Sequence, residues 1–367
     1  MLMEVIKNPI RGTGLQIQKG ICKGNIKDDP SSVINLLQYC PISKETPLIE
    51  NNKLTKLLRL KRIAFKDERR RMGLGSFKAL GGAYVIAKAA YKKIGENIKI
   101  PELAKKALTG STYVTASAGN HGLSVAAGAR IFGAKAVIYL SISVPSEFVK
   151  RLKGYGATVI IEGKDYERSM DAAQIASEKN DWTLLSDVTW NGYECGIDVM
   201  EGYLVMSHET VKDWEGESPT HVFLQTGCGG LAAAVTAHLR KTWGNNFIIC
   251  TVEPTAAPTI QESIIKGKPV HTSGPASNMG RLDCKVSSHV ALKCLAKEAD
   301  YLMSLSDEFV SREIKVLEKF NLQTSPSGGA GFAGLIYCIK NKLLDVNNES
   351  RVLIFISEGA SDEQYFL

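Results

Sequence analysis

Along the chain, short runs of apolar and β-branched residues alternate with longer segments in which apolar positions recur every third or fourth residue. The short runs predict strands at 62–65, 113–116, 136–140, 157–161, 221–225, 248–252 and 352–356. Several, such as Val-Leu-Ile-Phe-Ile at 352–356, lack polar alternation, as strands covered on both faces should. Helical periodicity predicts helices at 79–91, 121–132, 145–155, 166–178, 192–214 and 231–242. Strand-helix alternation argues for an α/β fold with parallel sheets. Residues 1–45 show no period and are punctuated by Gly and Pro, so they read as an irregular N-terminal arm packed on the body. Internal repeats, low-complexity tracts and long linkers are not visible.

Three Gly-rich segments each follow a strand and precede a helix, where α/β folds place their ligands. Gly227-Cys228-Gly229-Gly230-Leu231 follows the 221–225 run and enters an Ala-rich helix. Glycines let backbone N–H groups approach an anion, and the helix N-terminus adds positive potential, so this loop is a candidate phosphate cradle. It is neither a P-loop nor a GxGxxG turn; a tight strand-helix turn is the alternative. Thr115-Ala116-Ser117-Ala118-Gly119-Asn120-His121-Gly122 ends one strand and opens a helix, where N–H groups and hydroxyls can grip a carboxylate or simply cap the helix. In Met72-Gly73-Leu74-Gly75-Ser76-Phe77-Lys78-Ala79-Leu80-Gly81-Gly82 a lysine follows a Gly-rich turn. Lysine amines form Schiff bases when a site desolvates them, and Phe77 with the apolar run after Lys78 offers such a pocket. Ser357-Glu358-Gly359 follows the 352–356 run.

Composition narrows the class. The chain has 367 residues, 44% hydrophobic and 23% charged, enough for two lobes around a large core. Formal net charge is +7, with Arg69, Arg70 and Arg71 the one compact basic run. That run is too short to argue for nucleic acid, so a mildly basic surface or a funnel for anionic ligands is expected. The eight cysteines form no CxxC pair, which points to reduced thiols. No His/Cys spacing indicates a metal. With no signal-peptide pattern and no apolar run of spanning length, a cytoplasmic location away from membranes is expected.

The order of these motifs over most of the chain resembles the fold type II family of pyridoxal-phosphate (PLP) enzymes, the tryptophan synthase beta-like superfamily. The resemblance implies two lobes, each a mainly parallel twisted sheet flanked by helices. It implies a large PLP-binding lobe of 1–85 and 186–367 and a small mobile lobe of 86–185, in a homodimer that acts on a small amino acid. It further implies PLP held by Lys78 and flanked by Phe77. The phosphate would sit on Gly227, Cys228, Gly229, Gly230 and Leu231, with a hydroxyl contact from Thr226. Asn120 would lie beside the ring hydroxyl, and Ser357 would meet the pyridine nitrogen or act as a helix cap. Thr115, Ser117, Ala118 and Gly119 would bind the substrate carboxylate, Ser117 with a catalytic hydroxyl. His121 is set aside as a structural histidine.

Within that family, Asp187-Val188-Thr189-Trp190-Asn191-Gly192-Tyr193, then Glu201-Gly202-Tyr203 and Val252-Glu253-Pro254, look like diaminopropionate ammonia-lyase. Asp187 is then the acid/base group near the distal amine, or else a helix cap. The implied activity is α,β-elimination of 2,3-diaminopropionate to pyruvate and ammonia. Three features depart from the pattern. Ala118 stands where the lyases carry Asp. The turn Thr324-Ser325-Pro326-Ser327-Gly328-Gly329-Ala330 lacks a Glu and resembles cysteine synthases. Arg281 sits in Met279-Gly280-Arg281-Leu282-Asp283-Cys284 in place of a small residue, where it can bind an acidic substrate group. A serine/threonine dehydratase, a β-replacement enzyme and a PLP-binding protein without catalysis remain as alternatives.

Overall fold

The computed structural model describes residues 2–16, 20–40, 42–117, 119–142, 144 and 146–360. Two sheets organise them. The larger has seven strands: β1 (Glu4–Lys7), β2 (Leu48–Glu50), β3 (Arg62–Asp67), β8 (His221–Gln225), β9 (Ile248–Pro254), β10 (Tyr301–Leu305) and β11 (Arg351–Ile356). The smaller has four: β4 (Thr112–Ala116), β5 (Lys135–Leu140), β6 (Thr158–Ile161) and β7 (Thr183–Leu184).

In the larger sheet the order is β1-β10-β9-β8-β11-β3-β2. Neighbours from β10 to β3 run parallel, while β1 and β2 are antiparallel edges. The interior strands are apolar because helices cover both faces; β8 is buried along its whole length. The smaller sheet is parallel throughout, in the order β6-β5-β4-β7. The predicted strand at 157–161 begins one residue later, and the other six predicted strands contain their sequence runs, extended at an end or matched outright.

Two expectations are corrected. The N-terminal arm is not irregular throughout: Glu4–Lys7 pairs with β10, and Ser31–Leu37 is helical. The helix expected from 79 breaks at Gly81 into a 3-10 turn, Phe77–Leu80, and a helix, Gly82–Ile94. Close packing imposes that break, since a Cβ on Gly81 would sit 2.7 Å from the Tyr203 ring. The basic run is divided, with Arg70 exposed and its two neighbours paired. Arg71 is wholly buried, paired with Glu68 and Glu209, and Arg69 is held by Asp67.

Candidate active site

Sheet order brings the motifs together. β3 and β11 are neighbours, so the segments leaving their C-terminal ends meet. Phe77 N donates to Ser357 O (3.0 Å), and Ser76 bridges Glu358. β8 lies beside β11 and delivers the Gly227–Leu231 loop to the same place. In the smaller sheet, β4 pairs with β7, so the loop before Asn120 and the loop carrying Asp187 are adjacent. A cavity of about 570 Å³ lies among these ends. Phe77, Lys78, Ser117, Gly119, Asn120, Asp187, Gly227, Cys228, Gly229, Gly230, Leu231, Arg281 and Ser357 all line it.

Lys78 sits in its 3-10 turn because Ser76 caps it, accepting from Lys78 N at 3.3 Å. Its ammonium lies 5.2 Å from the Phe77 ring and 5.3 Å from Tyr203, and is ion-paired to Asp187 Oδ2. The two rings meet edge-on at 4.8 Å. Gly202 permits this approach: a Cβ there would stand 1.9 Å from Leu80 O. Burial works to lower the Lys78 pKa, but the Asp187 charge prevails and raises it well above the ordinary lysine range. Burial likewise opposes the Asp187 charge, yet Lys78 holds that carboxyl well below the usual carboxylate range.

Asp187 owes its place to the aromatic motif behind it. Trp190 and Tyr193 stack at 4.1 Å and exchange backbone hydrogen bonds. Tyr193 Oη donates to Leu184 O (3.0 Å) and accepts from Ser186 N (2.8 Å), fixing the strand end just before Asp187. Asp187 caps no helix, since the following helix starts at Gly196 behind Cys195.

Gly119 precedes the helix Asn120–Phe132, and Ser117 Oγ accepts from Gly119 N at 3.3 Å. Asn120 Nδ2 donates to Glu358 Oε2 at 2.7 Å. His121 is buried, which lowers the pKa of its ring, and it meets Leu185 O through Nε2 at 2.9 Å. The Arg281 guanidinium packs on the Phe148 ring, 5.3 Å from its centroid, and its Nη1 lies 3.0 Å from where a Gly119 Cβ would be. Ala118 lies outside the described residues.

Two expected residues do not reach the cavity. Thr226 turns its hydroxyl back to donate to Leu224 O (2.9 Å), and Thr115 is fully buried inside β4. Further residues that the sequence reading left aside line or back the site, among them Glu358, Tyr166, Tyr203 and Cys284. Cys284 donates toward Cys228, which holds the Cys228 thiol below its ordinary range and pushes Cys284 well above it.

The cavity fits PLP. The helix Gly230–Trp243 begins at the cavity with no side-chain cap on its first N–H groups. Gly229 leads into it at φ +99°, and a Cβ on Gly227 would lie 3.0 Å from Leu282 Cα. That is a backbone cradle shaped for an anion. Lys78 supplies the amine across the same space.

A family model described as pyridoxal-phosphate dependent enzyme matches residues 41–358. Diaminopropionate ammonia-lyase of Escherichia coli K12 is 29% identical over 343 residues, covering 88% of this chain and 86% of that protein. The crystal structure of diaminopropionate ammonia-lyase from Escherichia coli in complex with D-serine superposes with a TM-score of 0.87 at 26% identity, covering 99% of this chain and 95% of that one. A mouse serine dehydratase-like protein is 29% identical over 224 residues, covering 60% of this chain and 66% of its own. With the match spanning most of the chain and the cavity carrying a lysine opposite an uncapped helix start, this protein belongs to the pyridoxal-phosphate dependent enzymes, with the fold type II architecture.

Proposed function

We propose that the chain is a PLP-dependent ammonia-lyase that carries out α,β-elimination on 2,3-diaminopropionate, releasing pyruvate and ammonia. The observation that carries this reading is the Lys78–Asp187 ion pair, set between the phosphate cradle and the Ser117–Asn120 loop. The 29% identity to diaminopropionate ammonia-lyase supports it.

PLP, bound through Lys78, supplies an electron sink for the carbanion at Cα. The Gly229, Gly230 and Leu231 N–H groups would hold its phosphate, and Phe77 and Ser357 would flank the ring. Backbone N–H groups of the Ser117–Asn120 loop, with the Ser117 hydroxyl, bind the substrate carboxylate, and Arg281 adds positive charge beside Gly119. Once freed from the cofactor by the substrate amine, Lys78 Nζ would take the Cα proton. Asp187 Oδ2 would orient Lys78, and the proton that Lys78 takes up would pass by way of Asp187 Oδ2 to the leaving β-amine. The enamine then hydrolyses to pyruvate and a second ammonia.

The lobes 1–85 with 186–367 and the small, mobile 86–185 belong to the same reading. They are supported by sheet membership, since β4 to β7 fall inside 86–185 and every other strand outside it. A homodimer and a cytoplasmic location complete it. Among the described residues no helix is long and apolar enough to cross a membrane.

The test is a product screen with D- and L-2,3-diaminopropionate, L-serine, L-threonine and O-acetylserine. Two ammonia per pyruvate from diaminopropionate are expected. Turnover of serine or threonine alone would make the protein a dehydratase, the reading favoured by Ser117 lining the cavity and by the mouse relative.

A further inference from the structure

We propose that Glu358 is a positioning residue for the cofactor ring, acting through Asn120 and balanced by Arg281. The inference rests on the PLP-enzyme reading above and goes beyond it, because nothing in that reaction assigns Glu358 a task.

The Glu358 carboxylate lines the cavity with its side chain only 12% exposed. Oε2 accepts from Asn120 Nδ2 at 2.7 Å and lies 3.9 Å from Arg281 Nε, while Oε1 accepts from Ser325 Oγ. A buried carboxylate is costly in a cavity that must also receive a phosphate and an amino-acid carboxylate. Anchoring the chain does not require it. The backbone already does so: Thr324 Oγ1 donates to Glu358 O (2.6 Å), Gly359 N to Gly75 O (3.2 Å) and Phe77 N to Ser357 O (3.0 Å).

What the carboxylate adds is twofold. It commits one Asn120 N–H, which fixes the plane and the facing of that amide at the start of its helix. It also places a negative charge beside the ring site, partly offset by the Arg281 guanidinium. Arg281 in turn is held by Ser327 Oγ at its backbone N (3.0 Å) and by the Phe148 ring. The loop at 280–285, the turn at 324–328 and the helix from Asn120 therefore converge on one carboxylate.

A charge at this position tunes the protonation of the bound cofactor, and the two members of the pair should tune it in opposite directions. Glu358→Gln keeps the shape and the hydrogen bonds, since the Ser325 hydroxyl can rotate to accept, but loses the charge. The pH midpoint of the bound cofactor's absorbance change should fall by about half to one unit, because the protonated form loses a stabilising anion. Arg281→Gln should raise it by a similar amount, and the double variant should return near the parent. Lys78, Asp187, Tyr166, Cys228 and Cys284 share the cavity and are unchanged in every variant, so differences report the pair. Glu358→Ala should also weaken cofactor uptake by about 10-fold through the freed Asn120 amide. If this variant fails to fold, the Gln variant decides alone.

Midpoints equal to the parent in both single variants would overturn the proposal and leave Glu358 a packing residue. A parent protein that shows no cofactor absorbance at all would instead overturn the PLP reading itself.

Discussion

Two charged clusters hang on the same stretch of chain, residues 66–78, and they behave oppositely. Around Arg71, the side chains of Lys66, Glu68, Glu209 and Thr46 are buried and partner one another: Arg71 meets Glu68 through Nε at 2.7 Å and Glu209 through Nη2 at 2.6 Å. This cluster ties the segment before β2, the end of β3 and the helix Gly196–Asp213 into one block. A few residues on, Lys78 has one carboxylate partner and two aromatic faces, and opens onto the cavity. Closure makes the first cluster rigid and chemically silent. Openness leaves the second a lysine whose amine is reachable from the cavity. A strong ion pair therefore marks function only where a cavity reaches it.

The comparison can be broken most severely at Lys78. Lys78→Ala should remove the bound-cofactor absorbance and lower turnover by ~10⁴-fold, while circular dichroism stays that of the parent. Surviving absorbance and turnover would end the PLP assignment to this lysine. Arg71→Met should act on the other side, leaving Glu68 and Glu209 buried without their cation. A loss of about 3–5 kcal/mol in urea unfolding is expected, with turnover per folded molecule retained. Lost turnover without lost stability would merge the two clusters into one functional unit.

Asp187→Asn should slow diaminopropionate elimination by ~10²-fold and serine elimination less; equal effects would make Asp187 structural. The same variant has a pH signature. Asp187 raises the Lys78 pKa, so its removal should shift the pH dependence of cofactor capture downward and speed capture near neutrality, measured by stopped-flow absorbance. In the cofactor-free protein the depressed Asp187 pKa contributes stability above about pH 4, lost as pH falls through the folded value. The raised Lys78 pKa contributes stability below about pH 10, lost as pH rises through its folded value. The stability difference between parent and variant should therefore be flat from about pH 4 up to the pH at which the partnerless Lys78 titrates in the variant, and shrink above it. The smallest effects separate the cradle from its neighbour. Gly229→Ala, strained at φ +99° and 2.9 Å from Ala291 Cβ, should weaken cofactor binding by about 10-fold. Thr226→Val should cost ~1 kcal/mol of stability and move affinity by less than about 2-fold, because its hydroxyl already serves Leu224 O.

Lys78, Asn120, Ser357 and the Gly227–Leu231 loop were legible because each belongs to a local pattern, a Gly- or Ser-bearing turn between a strand and a helix. Asp187 was legible through Trp190 and Tyr193, whose stacking and hydrogen bonds now account for that spacing. The edge strands Leu48–Glu50 and Thr183–Leu184 were not legible, being too short to carry a period. Glu358 stood in plain view beside Ser357, yet its partner Asn120 lies 238 positions away.

The sequence by itself determined the alternation of strands and helices and the Gly-rich turns that carry Lys78 and Gly227–Leu231, because those depend on residues within one turn or one run of each other. The tertiary structure decided which charges are sealed and which face the cavity. It made Arg71 a buried brace in place of a surface cation, gave Lys78 the partner Asp187, and set Glu358 between Asn120 and Arg281. The reason is physical: burial and ion pairing depend on distances across the sheet order, and no local pattern of residues encodes which strand ends become neighbours.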